Sequence, residues 1–149
     1  MTLQEMVRTL NSDLGREYMH WHFYMNAAMR VTGLHRQEVQ EFFLDEAKGE
    51  MAHVEEFGRL IVGLGGIPNT VVAPFRNDIT DPKQLLTEAL KFEDEVVANY
   101  VERMDQAIEL QNNGGKDKVH GRFIEIFLED QILDSRKDAD HMREMLKGF

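Results

Sequence analysis

Four stretches of the chain carry apolar residues at the three- and four-residue spacing of an amphipathic helix. Ionisable or amide side chains interrupt every one of these apolar stripes. The interruptions are Glu17 in the first stripe, Glu46, Glu50 and His53 in the second, Glu93 in the third, and Gln131, Asp134, Asp138 and His141 in the fourth. Burying a bare charge among apolar side chains costs several kcal/mol or more. The pattern therefore predicts a shared cation inside a four-helix bundle.

Turn-forming residues separate the four periodic stretches and set the expected helix boundaries. Gly33 and the glycine-rich residues 63–66 provide stops after the first two helices. Asp81 is the expected N-cap of the third helix, directly before Pro82, a residue favoured in a first helical turn. The polar run NNGGKD separates the last two helices. We therefore expect helices over about 2–31, 36–63, 82–111 and 117–147.

The lengths of the connections predict how the helices are arranged. The first and last pairs of helices are joined by a few residues each, which favours antiparallel hairpins. The middle link, which contains IPNTVVAPFRNDITDP, has about 18 residues. At about 3.3 Å per residue it can run the length of a helix of roughly 40 Å. We predict an all-α four-helix bundle in which a long crossover joins two hairpins, with residues 1–149 as a single domain.

Each predicted hairpin offers one acid from its first helix and two polar residues, three positions apart, from its second. The sets are Glu17 with Glu50 and His53, and Glu93 with Gln131 and Asp134. Residues three apart lie on one helix face, so Glu50 and His53 can hold one metal ion while Glu50 reaches a second. Glu17 and Glu93 stand at mid-length of their helices, which is the level required for a common centre.

The composition restricts both the metal and the partners. The chain has no cysteine, so any ligands are oxygens and imidazoles, which suits iron or manganese. Its 17 basic and 27 acidic residues give a formal charge of −10, which disfavours nucleic acid and attracts cations. No run has the length of a membrane span, and the start MTLQEMVRTL lacks the apolar block of a secretory signal. We expect a cytoplasmic protein without nucleic-acid or membrane partners.

Four segments resemble the metal-binding stretches of ferritins and bacterioferritins. They are LNSDLGREYMHWHFY, EAKGEMAHVEEF, ALKFED and FLEDQILD, one from each helix and in the family's order. The resemblance implies a di-iron (Fe) centre within the four-helix bundle. By that likeness Glu17, Glu50 and His53 hold the first iron. Glu50, Glu93 and Gln131 hold the second.

The same resemblance points to further positions. Tyr24 matches the ferritin tyrosine beside the site, whose phenol would hydrogen-bond a ligating carboxylate or supply an electron. Met51, directly after Glu50, matches the methionine with which bacterioferritins ligate haem across a two-fold dimer. Ordinary bacterial ferritins also have methionine there, so a flexible gap-filler at an interface is the alternative to haem. His20 follows Glu17 by three residues, and we expect it to support the centre or lie at an interface, with direct metal contact as the alternative.

The fourth helix departs from the family pattern. Bacterioferritins carry Glu-x-x-His there, whereas this chain has Gln131-x-x-Asp134, which is nearer to bacterial ferritins. Gln131 is a neutral, weaker ligand, so the second iron should be held loosely. Asp130 is the ligand instead if the helix is rotated slightly, and Asp134 either ligates or hydrogen-bonds a ligand. Gly49 and Leu133 stand where the family's additional iron site would need acids.

The resemblance implies an iron storage and detoxification protein with ferroxidase activity, which oxidises Fe(II) with O2 or H2O2 inside a hollow homo-oligomer. Phe149 directly follows the last helix, so the fifth helix of 24-subunit ferritins is missing and a 12-subunit shell is favoured. Mini-ferritins of that size place iron between subunits, with a ligand pattern that this chain lacks. The alternatives are a rubrerythrin-like di-iron peroxidase or oxidase without mineral storage, and a metal-free helical interaction module.

Overall fold

The computed structural model describes residues 1–149 and contains four α-helices and no strand. The helices are α1 (Leu3–Arg30), α2 (Arg36–Gly63), α3 (Pro82–Gln111) and α4 (Gly115–Leu146). α1 packs along α2 and α3 packs along α4, and contacts between α1 and α3 join the two hairpins into a bundle. This confirms the predicted fold class, and every helix end lies within two residues of its expected position. None of the four helices carries an apolar segment long enough to span a bilayer.

Local sequence explains where the helices begin. Thr2 and Glu5 form a reciprocal capping box at the start of α1, with hydrogen bonds of 2.9 and 3.1 Å. Asp81 caps α3 as expected. α4 begins two residues earlier than predicted, because Gly114 and Gly115 take φ angles of 72° and 56°. This left-handed region favours glycine, so the two residues turn the chain directly into the helix.

The crossover of residues 64–81 runs along α1. Near its start, the backbone N–H of Asn69 donates to Asn11 Oδ1 at 2.7 Å. Near its end, the backbone N–H of Thr32 donates to the carbonyl oxygen of Thr80 at 3.0 Å. The link therefore passes from the early part of α1 to the residues just beyond its end. As a consequence, α3 starts at the level where α2 starts, and these two helices run in the same direction.

The bundle core consists of two apolar clusters separated by a polar layer. One cluster contains 14 buried residues, including Phe23 and Phe43, and the other contains 12, including Phe57 and Ile124. The buried polar side chains between them are Glu17, His20, Glu50, His53, Glu93 and Gln131. The acids that interrupt the apolar stripes of α1, α2 and α3 therefore share one level of the bundle.

The stripe predicted for α4 is wrong at two positions beyond Gln131, Asp134 and His141, whereas Asp138 and Met145 are half-buried. The buried face continues through Ser135 and Met142, whereas the predicted positions Asp134 and His141 are exposed. A helix turns about 100° per residue, so a four-residue step after Gln131 in place of a three-residue step rotates the rest of the face. Ser135, the residue at this step, is buried at the helix interface.

Gly121 marks a close approach of α4 to α3. A Cβ atom at this position would lie 2.6 Å from the carbonyl oxygen of Ala107, which belongs to a helix backbone that cannot easily move. We expect Gly121→Ala to lower the free energy of unfolding by about 1–3 kcal/mol in urea denaturation. Gly49→Ala is the matched control, because Gly49 is also helical but has no atom within 4 Å of the added methyl group. Gly49→Ala should raise the free energy of unfolding by up to about 1 kcal/mol. Equal effects of the two substitutions would contradict the close approach of α4 to α3 at Gly121.

Candidate metal centre

α1 and α2 bring Glu17, Glu50 and His53 together in the polar layer. His53 Nδ1 lies 3.3 Å from Glu50 Oε2 and 3.6 Å from Glu17 Oε2. One ligand atom from each of the three residues lies within 4.8 Å of the others, a spacing that one metal ion can bridge. Glu50 and His53 face the same way because they are one turn apart on α2. The donor set of two carboxylates and one imidazole suits Fe(II).

A second group of potential ligands shares Glu50. His20 lies one turn after Glu17 on α1, Glu93 approaches from α3, and the ligand atoms of His20, Glu50 and Glu93 lie within 4.8 Å of one another. All three side chains are buried. Burial lowers the pKa of His20, so its imidazole is neutral and offers a lone pair to a cation. Glu50 thus stands between two positions at which a cation would be surrounded by protein ligands.

Two buried tyrosines fix the outer glutamates of the centre. Tyr24 on α1 donates its hydroxyl to Glu93 Oε1 on α3 at 2.6 Å. Tyr100 on α3 donates to Glu17 Oε1 on α1. Each tyrosine lies seven residues after the glutamate of its own helix: Tyr24 follows Glu17 on α1, and Tyr100 follows Glu93 on α3. The remaining oxygens, Oε2 of Glu17 and Oε2 of Glu93, are buried without a hydrogen-bond partner, as expected of atoms that a cation would satisfy.

α4 contributes at the edge of the centre. Asp134 Oδ2 lies 3.5 Å from His53 Nε2, and its side chain is 64% exposed. A carboxylate on the far nitrogen of a metal-binding imidazole orients the ring and raises its basicity. Gln131 donates from Nε2 to Glu56 Oε2 at 2.7 Å, and its Oε1 is buried without a partner. Asp130 is exposed on the outer face of α4 and belongs to no group of potential ligands.

Burial and mutual contact shift the ionisation of the central side chains. Burial raises the pKa of Glu50 well above its usual value and the pKa of Glu93 to about 8. Burial also opposes the charge of Glu17, but the close contacts of Glu17 with Glu50 and His53 outweigh burial and lower the pKa of Glu17 to about 2. The same contacts outweigh burial at His53 and raise its pKa to about 12. At neutral pH, Glu50, Glu93 and His53 therefore keep protons that a cation must displace.

A further acid group continues from Glu93 along the bundle. Glu46, one turn before Glu50, and Asp138 on α4 place carboxylate oxygens within 4.8 Å of one another and of Glu93. Burial, and then the charge of Asp138, raise the pKa of Glu46 to about 9. Glu46 is therefore protonated at neutral pH, with the carboxylate of Asp138 beside it.

The contact of Tyr100 with Glu17 was not predicted from the sequence. His20 was expected to support the centre or to lie at an interface, with direct metal contact as the alternative. A spacing in the sequence marks both residues. Tyr100 repeats, after Glu93, the seven-residue spacing of Tyr24 after Glu17. His20 repeats on α1 the Glu-x-x-His spacing of α2. Met51 lies outside the centre, with its side chain 56% exposed.

Comparisons with known proteins place this geometry in context. The protein-family model described as Ferritin-like domain matches residues 7–148. A structure of ferritin-like, diiron-carboxylate proteins from Bacillus anthracis str. Ames is 27% identical, covers 97% of this chain and 96% of that chain, and has a TM-score of 0.84. No curated protein sequence matches the chain.

Two more distant structures share the fold. The bacterioferritin of Rhodobacter capsulatus, whose structure has a metal-free dinuclear site and a haem iron, is 19% identical over 97% of this chain and 84% of that chain, with a TM-score of 0.79. A dodecameric thioferritin from Bacteroides fragilis, related to bacterioferritin, is 21% identical over 100% of this chain and 92% of that chain, with a TM-score of 0.62.

Proposed function

This chain belongs to the family of ferritin-like domains, and we propose that it is a ferroxidase that oxidises Fe(II) to Fe(III) at a di-iron centre inside each subunit. The observation that carries the proposal is the position of Glu50, which is shared by two buried groups of potential ligands. A carboxylate in that position can bridge two cations. Iron is the substrate, and the ferric product is stored in a hollow homo-oligomer.

The ligands divide between two positions. Glu17, Glu50 and His53 hold the first Fe(II). Glu50 and Glu93 hold the second, and the buried Oε1 of Gln131 is a neutral ligand available from α4. The three carboxylates offset three of the four positive charges of two Fe(II) ions. Because hard oxygen ligands favour the ferric state, the same residues promote the loss of electrons.

The reaction needs an oxidant that accepts two electrons. With O2, two Fe(II) and two protons give two Fe(III) and one H2O2. With H2O2 as the oxidant, two Fe(II) and two protons give two Fe(III) and two water molecules. Binding of Fe(II) displaces the protons that burial holds on Glu50 and Glu93. The chain thus releases protons close to the place where the oxidant consumes them.

Substitutions of the two tyrosines can distinguish a role in electron transfer from a role in positioning the glutamates. Tyr24 and Tyr100 make equivalent hydrogen bonds to the outer glutamates. We propose that Tyr24 also relays an electron: its phenol gives one electron to the oxidant and its proton to Glu93, and Fe(II) then returns the electron as the proton comes back. Tyr24→Phe should lower the oxidation rate at saturating Fe(II) roughly tenfold, whereas Tyr100→Phe should mainly weaken Fe(II) binding by roughly tenfold. Stopped-flow absorbance over a range of Fe(II) concentrations measures both effects. The same response in both variants would leave Tyr24 with a positioning role alone.

Exposed apolar residues support assembly into a homo-oligomer. They occur on the outer faces of α1 and α2, at Met29, Leu44, Met51 and Val62, and on α4, at Val119, Phe123, Ile126 and Leu133. The exposed residues on α4 recur at helical spacing and form a stripe, which is typical of a surface that becomes buried on association. We propose a shell of 12 subunits in preference to 24. Met51 on the first face is the residue available to a haem between two subunits, with simple packing as its alternative role.

One experiment tests storage and oxidation together. Wild-type protein should elute as a particle of many subunits, oxidise two Fe(II) per chain rapidly in air, and retain further iron inside the particle. Native mass spectrometry, iron analysis and the absorbance of Fe(III) measure these quantities. A dimer that oxidises iron without retaining it would indicate a rubrerythrin-like oxidase. A protein that binds no iron would indicate an interaction module, and a haem absorption band would assign Met51.

A further inference from the structure

His20 is a buried imidazole that the ligand sets of the proposed reaction leave unused. Its side chain is 2% exposed, and its Nδ1 atom has no hydrogen-bond partner. His53, by contrast, contacts Glu17 and Glu50 through Nδ1 and Asp134 through Nε2. Buried ring nitrogens in native proteins nearly always have a partner. The unsatisfied nitrogen of His20 therefore indicates a ligand that protein atoms do not supply.

The surroundings of His20 hold its ring in the centre. The imidazole stacks on Phe92, with 5.5 Å between the ring centroids and 23° between the ring planes. Phe92 directly precedes Glu93 on α3, so the residue that fixes the ring adjoins a carboxylate of the second group of ligands. A ring nitrogen of His20 lies within 4.8 Å of carboxylate oxygens of Glu50 and Glu93. The imidazole is thus oriented before any cation binds.

We propose that His20 is a direct ligand of the second Fe(II), together with Glu50 and Glu93. This inference rests on the proposed function and completes the ligand set of its second position. Each iron then receives one outer glutamate, one imidazole and a share of Glu50. Both imidazoles come from the first hairpin and none from α4. An imidazole binds Fe(II) more strongly than an amide, so the second iron is held more tightly than Gln131 alone would allow.

Cobalt(II) titration tests this assignment without relying on oxidation. Wild-type protein should bind two Co(II) per chain, as measured by visible absorption and by isothermal titration calorimetry. His20→Gln should keep one Co(II) of wild-type affinity and bind the second at least about tenfold more weakly. His22→Gln is the matched control, because His22 is exposed two residues away on the same helix. It should bind both ions like the wild type.

The outcomes separate this inference from the proposed function. Two Co(II) bound with unchanged affinity and spectrum by His20→Gln would overturn the role of His20 and leave the di-iron centre intact. If the wild type bound no Co(II), the proposed di-iron centre would be refuted, and the proposed role of His20 would be refuted with it. Nitrogen-15 NMR of wild-type histidines during Zn(II) titration needs no variant. The His20 ring should shift as the second equivalent of Zn(II) binds, and an unshifted His20 signal would refute the assignment.

Discussion

Glu50→Gln is expected to slow the oxidation of Fe(II) by at least about a hundredfold. Loss of a side chain that only supports a ligand already reduces metal affinity or activity by about 10- to 100-fold, and Glu50 belongs to both groups of ligands. The glutamine side chain is neutral. The substitution therefore removes one of the three negative charges that Glu17, Glu50 and Glu93 would offer to the cations, and it removes the carboxylate proposed to bridge them. His53→Ala should also lose rapid oxidation, but it removes a ligand from one position only. Stopped-flow absorbance after addition of two Fe(II) per chain in air measures the rates.

The Glu50→Gln variant should still fold, which makes its kinetics interpretable. Burial keeps the pKa of Glu50 high, so the cation-free protein already holds a neutral side chain there, and an amide matches its shape. Glu55→Gln is the control, because Glu55 lies on the same helix with its side chain 64% exposed in a surface ion pair with Arg59. Wild-type oxidation by Glu50→Gln, or equal slowing by Glu55→Gln, would refute the bridging role.

The cation-free protein is expected to lose several kcal/mol of stability as the pH rises from about 5 to about 9. Burial raises the pKa of Glu93 to about 8 and of Glu46 to about 9, from an ordinary value of 4.5. A raised pKa contributes stability that is complete below the unfolded value and disappears as the pH rises through the folded value. Each unit of difference corresponds to about 1.4 kcal/mol. Urea denaturation in the presence of a chelator, at several pH values, measures the loss.

Among the other groups in the layer, the lowered pKa of His20 opposes this trend below about pH 6.5, whereas the raised pKa of Glu50 acts in the same direction as Glu93 and Glu46. The pKa of Glu17 is lowered to about 2, and the stability that this contributes is already complete above pH 4.5. Glu17 therefore adds no change between pH 5 and pH 9. The raised pKa of His53, about 12, adds a loss in the same direction above pH 6.5. Glu46→Gln should flatten the dependence, because an amide cannot lose a proton. Mn(II) should reverse it, because deprotonated ligands bind the cation better at higher pH. A stability that does not change with pH in the chelated protein would contradict the shifted pKa values.

The sequence was sufficient for the fold and for much of the site's location. Carboxylates at Glu17, Glu50 and Glu93 interrupt long apolar stripes, and the connection lengths admit one simple arrangement of four helices. The prediction of an all-α bundle with a long crossover is confirmed. The structure brings those three acids and His53 together, and their roles as ligands remain predictions that the variants above address.

What the sequence did not provide was the rotation and stagger of the helices relative to one another. The predicted stripe on α1 passed through Trp21, whereas in the structure His20 is buried and stacks on Phe92 of α3. The contact of Tyr100 with Glu17 likewise depends on how far α3 is shifted along α1. On α4, the periodicity allowed either a three- or a four-residue step after Gln131. The small Ser135, buried against the bundle, corresponds to the second choice.

The crossed tyrosine contacts bear on how such a chain arose. Tyr24 of α1 donates a hydrogen bond to Glu93 of α3, and Tyr100 of α3 donates one to Glu17 of α1. In both helices the tyrosine lies seven residues after the glutamate. This reciprocity is what two copies of one ancestral hairpin would have shared as a symmetric pair before gene fusion. The symmetry is incomplete, because both imidazoles of the groups of potential ligands, His20 and His53, belong to the first hairpin. The second hairpin matches the first only in its acid and its phenol, Glu93 and Tyr100.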